Sequence, residues 1–319
     1  MTARKNLFYA LTTGALCLYL LTGCSPARQV DRSGSEEASS PSVILTDWSG
    51  HQEGFAACPE RVVAASGSLG EVWLNAGGNL IGITEDAVSE RNLPLPEDVT
   101  IVGSIKEPDL ETILSLDPDF LILSADIAGH QALVPTLEKL SIPYGLFHEE
   151  YFEDYLSLLQ QFSTLTGQPG IYQKNGLRVQ QEIEAILAET SAQEGKTFLL
   201  LRAYGSGFKA KNGENLTGVM LKDLGLENVL DRYDSLLEDI SMEEILAVDP
   251  DYIFVTIMGS DPEKAVAFLE GQLCSDPAWA TLTAIQSDNY HILPKDLFHY
   301  KPNARWAEAY AYLADILSA

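Results

Sequence analysis

Two stretches of the chain repeat the same order of polar and apolar positions. Residues 109–124 read DLETILSLDPDFLILS and residues 241–256 read SMEEILAVDPDYIFVT, with six of the sixteen positions identical. Each stretch begins with a polar residue that can cap a helix, and Asp-Pro-Asp then ends the helical pattern. The continuous apolar run that follows is typical of a parallel strand covered on both faces. The repeat therefore predicts two lobes built on the same plan.

Other segments continue this alternation of strands and helices. The sequence predicts strands over residues 61–65, 80–83, 197–201 and 290–293, one helix that ends at Gly77, and another over residues 216–224. The glycine-containing segment 202–215 is predicted to be a loop. This order favours an α/β fold with two Rossmann-like lobes and mostly parallel sheets. Such sheets bind ligands beyond the carboxyl ends of their strands.

A single helix is predicted between the two lobes. Residues 168–190 place apolar side chains at helical spacing, with Gly176 as the one interruption. A helix of that length spans about 30 Å and can serve as a rigid connector. The predicted domains are an N-terminal lobe over residues 43–166, a bridging helix over 167–192 and a C-terminal lobe over 193–319.

The start of the chain is typical of a bacterial lipoprotein signal peptide. A basic pair precedes an apolar stretch over residues 7–21, which is shorter than the roughly 20 residues that span a bilayer. The sequence Leu-Thr-Gly-Cys, which ends at Cys24, resembles a lipobox. Residues 1–23 are therefore expected to be removed and Cys24 to be lipidated. Residues 24–42 are rich in Ser and Pro and predict a flexible tether.

Composition and motifs exclude several classes of protein. The 319 residues include 46 acidic and 20 basic side chains, a formal net charge of −26. Nucleic acid is excluded as a partner, because phosphate backbones require clustered Lys and Arg. No G-x-S-x-G, H-E-x-x-H or P-loop motif is present, so no enzymatic activity is predicted. Four cysteines are too few for a disulfide scaffold. Cys58 and Cys274 are expected to be buried free thiols, and a bridge between them is the alternative.

Six of the scarce basic residues lie just after two predicted strands of the C-terminal lobe. They are Arg202, Lys209, Lys211, Lys295, Lys301 and Arg305. Because Arg offers paired hydrogen bonds to carboxylate or catecholate oxygens, such a cluster in an acidic protein predicts an anionic ligand. We take Arg202, Lys209, Lys211, Lys301 and Arg305 as candidate ligand-binding residues.

Aromatic and polar residues complete the candidate binding set. Tyr204, Tyr300 and Trp306 accompany the basic residues, and Tyr151 lies in the N-terminal lobe. Flat rings of this kind pack against large planar or chelated ligands. His148 and Ser66 follow predicted strands of the N-terminal lobe. The histidines show no HxH or HxxH spacing, so neither a resident metal nor an intrinsic cofactor is predicted.

The first copy of the repeat resembles a segment of known transport proteins. Residues 102–104 (VGS), 109–111 (DLE) and 116–119 (LDPD) resemble a motif of substrate-binding lipoproteins of ABC importers. The class is the one that binds iron-siderophore, haem or cobalamin, and its two lobes are joined by one long helix. The resemblance implies a class III periplasmic-binding-protein-like fold. It also implies capture of an iron chelate, with a ferric siderophore first and haem or cobalamin next.

The same resemblance implies partners and a location. It implies delivery to an ABC permease and its ATPase by a monomer that is anchored outside the cytoplasm to the bacterial cell membrane through Cys24. In this class a glutamate on each lobe docks into arginine pockets of the permease. Glu71 and Glu214 match those places, and each is expected to open the first helix of its lobe.

Two alternative functions remain open at this stage. One is a receptor of related fold that holds zinc or manganese directly. The other is a surface sensor or adhesin that uses the same fold and transports nothing.

Overall fold

The computed structural model describes residues 42–190, 193, 195–231, 240–259 and 261–318. The predicted signal peptide, Cys24 and residues 25–41 lie outside the described residues. Within the described ranges, no helix is both long and apolar enough to cross a membrane.

The first half of the described chain forms an N-lobe around a parallel sheet. Its elements are β1 (Val43–Thr46), β2 (Gln52–Phe55), β3 (Val62–Ala64), α1 (Gly67–Asn75), β4 (Gly82–Ile83), α2 (Asp86–Ser89), β5 (Thr100–Ile101), α3 (Leu110–Ser115), β6 (Phe120–Ser124), α4 (Ala128–Gln131), α5 (Val134–Leu140), β7 (Tyr144–Phe147) and α6 (Phe152–Leu165). The sheet has the order β5-β4-β3-β6-β7, and all its neighbouring pairs are parallel. β1 and β2 form a separate antiparallel hairpin. The parallel order brings the carboxyl ends of five strands to one edge.

A helical connector follows, which contains α7 (Pro169–Tyr172) and α8 (Arg178–Glu189). After it comes a C-lobe of similar plan. The C-lobe elements are β8 (Thr197–Tyr204), β9 (Gly207–Lys211), α9 (Leu216–Asp223), β10 (Glu227–Asn228), α10 (Met242–Val248), β11 (Tyr252–Ile257), α11 (Pro262–Leu273), α12 (Thr283–Gln286), β12 (Tyr290–Ile292), α13 (Lys295–Phe298) and α14 (Trp306–Ser318). The sheet order is β10-β8-β11-β12 with parallel pairs, and β9 is antiparallel to β8. The expected α/β architecture with mostly parallel sheets is confirmed.

The loop predicted after residue 201 is wrong, because the chain forms a β-hairpin there. β8 continues to Tyr204, and β9 returns antiparallel to it after the two residues Gly205 and Ser206. Large polar side chains alternate with Ala203 and Ala210, which are both buried. This period of two is that of a strand with one covered face, and a glycine-containing two-residue turn suits a hairpin. The candidate basic residues of this segment therefore project from strands.

Both copies of the sequence repeat form the predicted helix and strand. The Asp109 side chain accepts hydrogen bonds from two backbone amides at the start of α3, and Ser241 forms a capping box with Glu244 at the start of α10. β6 and β11, which follow them, are buried along their whole length. Asp117 and Asp249 have positive φ angles of 46° and 35°. A left-handed residue therefore helps the following proline to end each helix.

The predicted bridging segment is helical but has an irregular turn. α7, a π turn at Gln173–Leu177 and α8 follow one another with helical backbone angles at each junction. Gly176 lies in the π turn, where a Cβ atom would come within 3.1 Å of the Leu156 and Tyr172 side chains. The C-terminal helix α14 packs along α8. The connector is therefore supported by a second helix and does not stand alone.

One apolar core extends through residues of both lobes. In the N-lobe, the ring of Trp73 meets Phe120 and Phe162 edge-on. Trp306, which begins α14, is 2% exposed and meets Phe152 of α6 with ring centroids 5.8 Å apart. Trp306 is therefore a core residue that joins C-terminal and N-lobe helices, and the structure does not place it in a ligand site.

The expectation that both free cysteines are buried is wrong. Cys58 and Cys274 are free and exposed. Partial burial, together with nearby carboxylates, raises the pKa of each thiol. Both side chains therefore remain largely in the thiol form at neutral pH.

Candidate functional site

A cavity of about 690 Å³ lies between the lobes, at the carboxyl ends of their strands. The N-lobe wall consists of Ser66, Ser68, Leu69, Asp86, Glu90, Arg91, Ile105, Ser124, Asp126, Ile127, Phe147, His148, Glu149, Glu150 and Tyr151. The C-lobe wall consists of Arg202, Lys211, Asn212, Glu214, Asn215, His299, Tyr300 and Lys301. The size is typical of a small-molecule site, and the many polar side chains among the lining residues favour a ligand with polar groups.

Arg202 lines the cavity, and its charge forms no ion pair with a carboxylate among the described residues. It projects from β8 opposite Lys209 of β9. Its Nε is buried and has no hydrogen-bond partner among the described groups. Burial lowers the pKa of Arg202 and the field of Glu150 opposes this shift, but a guanidinium group stays charged at physiological pH. Because an unpaired buried charge is unfavourable, this group is suited to an anionic ligand.

Arg91 joins the two lobes at the cavity wall. Its Nη2 lies 2.8 Å from Glu71 Oε2 and donates to the carbonyl oxygen of Lys301 at 2.7 Å. Asn303 Nδ2 also donates to Glu71 Oε2, at 2.8 Å, and to the carbonyl oxygen of Ser68, at 3.2 Å. The Glu71 carboxylate thus takes part in contacts between the lobes. Glu71 lies in the second turn of α1, so the expectation that it opens this helix is wrong.

Lys301 and Tyr300 form part of the C-lobe wall. Lys301 Nζ forms an ion pair with Glu150 Oε2. The Tyr300 ring has Lys295 Nζ at 4.6 Å and Arg91 Cζ at 5.9 Å from its centroid. Burial, reinforced by Glu90, raises the pKa of Tyr300, so its hydroxyl stays protonated. The two cations Arg91 and Lys301 are therefore each matched by an N-lobe carboxylate.

Burial shifts three titratable groups of the cavity toward their neutral forms. It raises the pKa of Glu149 and of Asp86, although each accepts a hydrogen bond at one oxygen. It also lowers the pKa of His299 to about 4, with the positive field of Arg202 as the next cause. Burial therefore opposes the charged form of all three side chains.

His148, Tyr151 and Ser66 line the cavity as candidate residues. His148 Nδ1 lies 2.8 Å from Asp126 Oδ1. The Tyr151 hydroxyl donates to the backbone oxygen of Glu214 at 2.5 Å, a contact between the lobes. Ser66 is buried immediately before α1. Glu214 is exposed at the cavity and lies just before the cap of α9, so it does not open that helix.

Two further candidates line a second cavity. Tyr204 and Lys209 border a space of about 610 Å³ that shares Arg202 and Lys211 with the interlobe cavity. Arg202, Tyr204, Lys209 and Lys211 all project from the same face of the β8–β9 hairpin, so the two spaces adjoin along it. Tyr204 and Lys209 line only the second space and are not brought to the interlobe cavity itself.

Arg305 is held on the outside of the interlobe cavity. Its guanidinium group binds Asp296 Oδ2 at 2.8 Å and Glu308 Oε2 at 2.7 Å. These contacts raise the pKa of Arg305. Because its nitrogen atoms already bind two carboxylates of the chain, Arg305 is not placed to bind the ligand.

Sequence analysis missed most residues of the cavity wall, and three of these have contacts or burial that matter for the site. Arg91 contacts both lobes, and Asp86 and Glu149 provide buried carboxyl groups. Asp86 and Glu149 follow the apolar runs of β4 and β7 by two or three residues, which is the criterion that found the basic candidates. Applied to acidic residues, the same criterion would have identified both.

Two parallel-sheet lobes, a helical connector and a polar cavity at the strand ends together define a solute-binding protein. The chain belongs to the periplasmic binding protein family, whose family model matches residues 62–297. Members of this family act outside the cytoplasm. The expected class, an importer's substrate-binding protein, is thus confirmed.

Named relatives show which members of this class the chain is similar to. It is 24% identical over 301 residues to the Fe(3+)-citrate-binding protein YfmC of Bacillus subtilis, covering 92% of this chain and 91% of YfmC. It is 27% identical over 236 residues to the Fe(3+) dicitrate-binding periplasmic protein FecB of Escherichia coli, covering 72% and 74%. The crystal structure of Staphylococcus aureus SirA complexed with staphyloferrin B has a TM-score of 0.64 at 18% identity, covering 86% of this chain and 97% of SirA. These similarities support the iron-chelate class and not the zinc or manganese alternative.

Proposed function

We propose that this protein captures an anionic ferric chelate of the hydroxycarboxylate kind, such as ferric citrate, for an ABC importer. The observation that carries the proposal is the partly buried Arg202 of the cavity wall: its Nε is buried without a hydrogen-bond partner, and no ion pair among the described residues includes it. A carboxylate oxygen of the chelate would satisfy this group with a charge-assisted hydrogen bond. The iron is cargo, and no covalent step is part of the proposal.

The named relatives support the choice of chelate. YfmC and FecB are each described by their names as binding ferric citrate, and both similarities extend over most of the chains. A ferric citrate complex carries carboxylate groups and a net negative charge, which the cavity can meet through Arg202. Haem and cobalamin, the other ligands expected from the sequence, differ from it in size and charge and are the comparison ligands in the test below.

Several cavity residues have complementary roles in this proposal. Lys211 and Lys301 lie on the same C-lobe wall as Arg202 and add positive charge near the chelate. The Ser66 hydroxyl, on the N-lobe wall, is available for a hydrogen bond to an oxygen atom that does not bind iron, whereas the Tyr151 hydroxyl already donates its proton to the Glu214 backbone. The ligand is thus held by charge from one lobe and by polar groups from the other.

A fluorescence titration tests the proposed ligand. Trp48 is 68% exposed, and its ring centroid lies 4.7 Å from that of His148, a cavity residue. Ferric citrate should therefore change the tryptophan emission in a saturable manner, and haem and cobalamin should bind more weakly. In Trp48→Phe, calorimetry should give the parent affinity while the fluorescence change decreases. Tighter binding of haem or cobalamin than of every ferric hydroxycarboxylate would refute the proposal.

We propose further that the mature chain is a monomer that is anchored through lipidated Cys24 and delivers its ligand to a permease and ATPase. The family assignment supports an extracytoplasmic partner of an importer. By resemblance, Glu71 and Glu214 are the docking residues. Glu71 is engaged with Arg91 and Asn303, so its replacement would disturb contacts between the lobes as well as docking. Glu214 is exposed and offers the cleaner test.

Charge reversal at Glu214 should separate docking from binding. In Glu214→Arg, uptake of ferric citrate by cells should fall severalfold, because one of two carboxylate contacts with the permease is replaced by repulsion. Affinity for an anionic chelate should not decrease, since the new charge at the cavity rim is positive. Uptake of radioactive iron and calorimetry on the purified variant measure the two effects. Unchanged uptake would remove Glu214 from the docking surface.

A further inference from the structure

Glu149 is the most buried carboxyl group of the described cavity wall. It is 5% exposed, and its Oε2 accepts a hydrogen bond from the Ser68 hydroxyl at 2.6 Å. Its Oε1 is buried and has no hydrogen-bond partner among the described groups. An ionised carboxylate is poorly stabilised in such a place, and burial accordingly raises the pKa of Glu149.

The positive charges that act on Glu149 are already paired with other carboxylates. Arg91 and Lys301 favour its ionised form, but they bind Glu71 and Glu150, and the charge of Glu71 disfavours that form. The other titratable groups of the surrounding elements are Asp86, Glu90, Asp126, His148, Tyr151 and Tyr155 from the N-lobe, and Arg202, Lys211, Glu214, His299 and Tyr300 from the C-lobe. No ion pair among the described residues includes Glu149, so its charged form lacks a local partner.

We propose that Glu149 is a specificity determinant whose neutral form admits an anionic chelate to the cavity and whose ionised form repels it. This inference rests on the proposed function, because it requires a negatively charged ligand. A bound chelate would lie against the wall that contains this carboxyl group, where two negative charges are poorly screened from each other. The chelate must then favour the protonated form, so binding and proton uptake are coupled.

The coupling gives the affinity a definite dependence on pH. Below the pKa of Glu149 in the free protein, this residue is neutral and does not affect binding. Above that pKa, binding requires proton uptake, and the affinity falls by up to about tenfold for each further pH unit. Since burial raises this pKa, the fall begins above the range in which an ordinary glutamate ionises.

The parent protein and Glu149→Gln, compared from pH 5 to pH 8, test this coupling. Glutamine retains the shape of the neutral carboxyl group but cannot ionise. Citrate and its ferric complex also titrate, but both proteins meet the same ligand, so the ratio of their Kd values isolates Glu149. We expect Kd of the parent divided by Kd of the variant to rise with pH across this range, by up to about tenfold for each pH unit above the pKa of Glu149. Glu153→Gln, at an exposed site outside the cavity, should follow the parent.

Three outcomes decide between the proposals. A Kd ratio that stays constant with pH overturns the role of Glu149 but leaves the proposed function intact. A ratio that falls with pH indicates that ionised Glu149 contacts iron, which also overturns the inference. If the parent does not bind ferric citrate at any pH, the proposed function itself fails.

A measurement on the parent alone covers the case in which Glu149→Gln fails to fold. Calorimetric titrations with ferric citrate, in two buffers of different ionisation enthalpy, give the number of protons taken up on binding. We expect uptake to increase at the pH where the affinity begins to fall. Absence of uptake there would overturn the coupling without any variant.

Discussion

Replacing Arg202 with alanine should weaken the binding of ferric citrate about ten- to a hundredfold. A hydrogen bond to a charged group contributes roughly 1.5–3 kcal/mol, and each 1.4 kcal/mol corresponds to a factor of ten in Kd. Arg202 is partly buried in the cavity wall, its Nε has no hydrogen-bond partner and no described carboxylate competes for it, so its contribution should lie within that range. The net charge of −26 does not cancel the attraction. At physiological salt the field of a carboxylate is screened over about 8–10 Å, so distant carboxylates have little effect on the ligand. Calorimetry at fixed salt and pH measures the loss.

Two other variants make the Arg202 result specific. Arg202→Lys should recover part of the affinity, since it retains the charge but loses the planar pair of donors. Arg305→Ala removes a guanidinium group from the same lobe, but one that is bound to Asp296 and Glu308 outside the cavity, and it should leave Kd unchanged. If Arg202→Ala binds ferric citrate as tightly as the parent, or if both alanine variants are equally weakened, the anionic-chelate proposal is wrong.

The fold was predictable where local signals agree with the tertiary structure. The two copies of the repeat combine a capping residue, an amphipathic helix and a fully buried strand, and all three features occur in α3–β6 and α10–β11. The hairpin β8–β9 was missed because its glycines were interpreted as a loop, whereas the alternation around Ala203 and Ala210 specifies strands. The π turn in the connector depends on how closely Gly176 packs against neighbouring helices, which spacing alone does not reveal.

The site was predictable in position but less so in its members. Charge identified the lobe and the sheet edge, and Arg202, Lys211 and Lys301 all line the cavity. Charge could not distinguish them from Arg305, because the difference lies in which carboxylates are adjacent in the folded chain. Glu149 was missed because only basic residues were sought after the strands, and the burial that makes this carboxyl group important is a property of the folded chain.

Trp306→Ala should destabilise the protein by about 3–5 kcal/mol, the usual cost of removing a large aromatic side chain from a core. Trp306 is 2% exposed and packs edge-on against Phe152, so alanine would leave a cavity between α14 and α6. Because this tryptophan is not in the ligand site, the folded fraction should bind ferric citrate with the parent Kd. Urea unfolding followed by circular dichroism measures the free energy of unfolding, and calorimetry on folded protein measures Kd.

Trp306→Phe helps to distinguish a role of Trp306 in core packing from a role in binding the ligand. The indole Nε1 is buried and has no hydrogen-bond partner among the described groups, which is itself unfavourable by about 1–3 kcal/mol. Phenylalanine removes that unpaired donor while it retains a ring against Phe152, so this variant should be much more stable than Trp306→Ala. Trp48→Phe, at an exposed position, should leave the free energy of unfolding unchanged. If Trp306→Ala instead keeps its stability and loses affinity more than tenfold, Trp306 contacts the ligand and its assignment to the core is wrong.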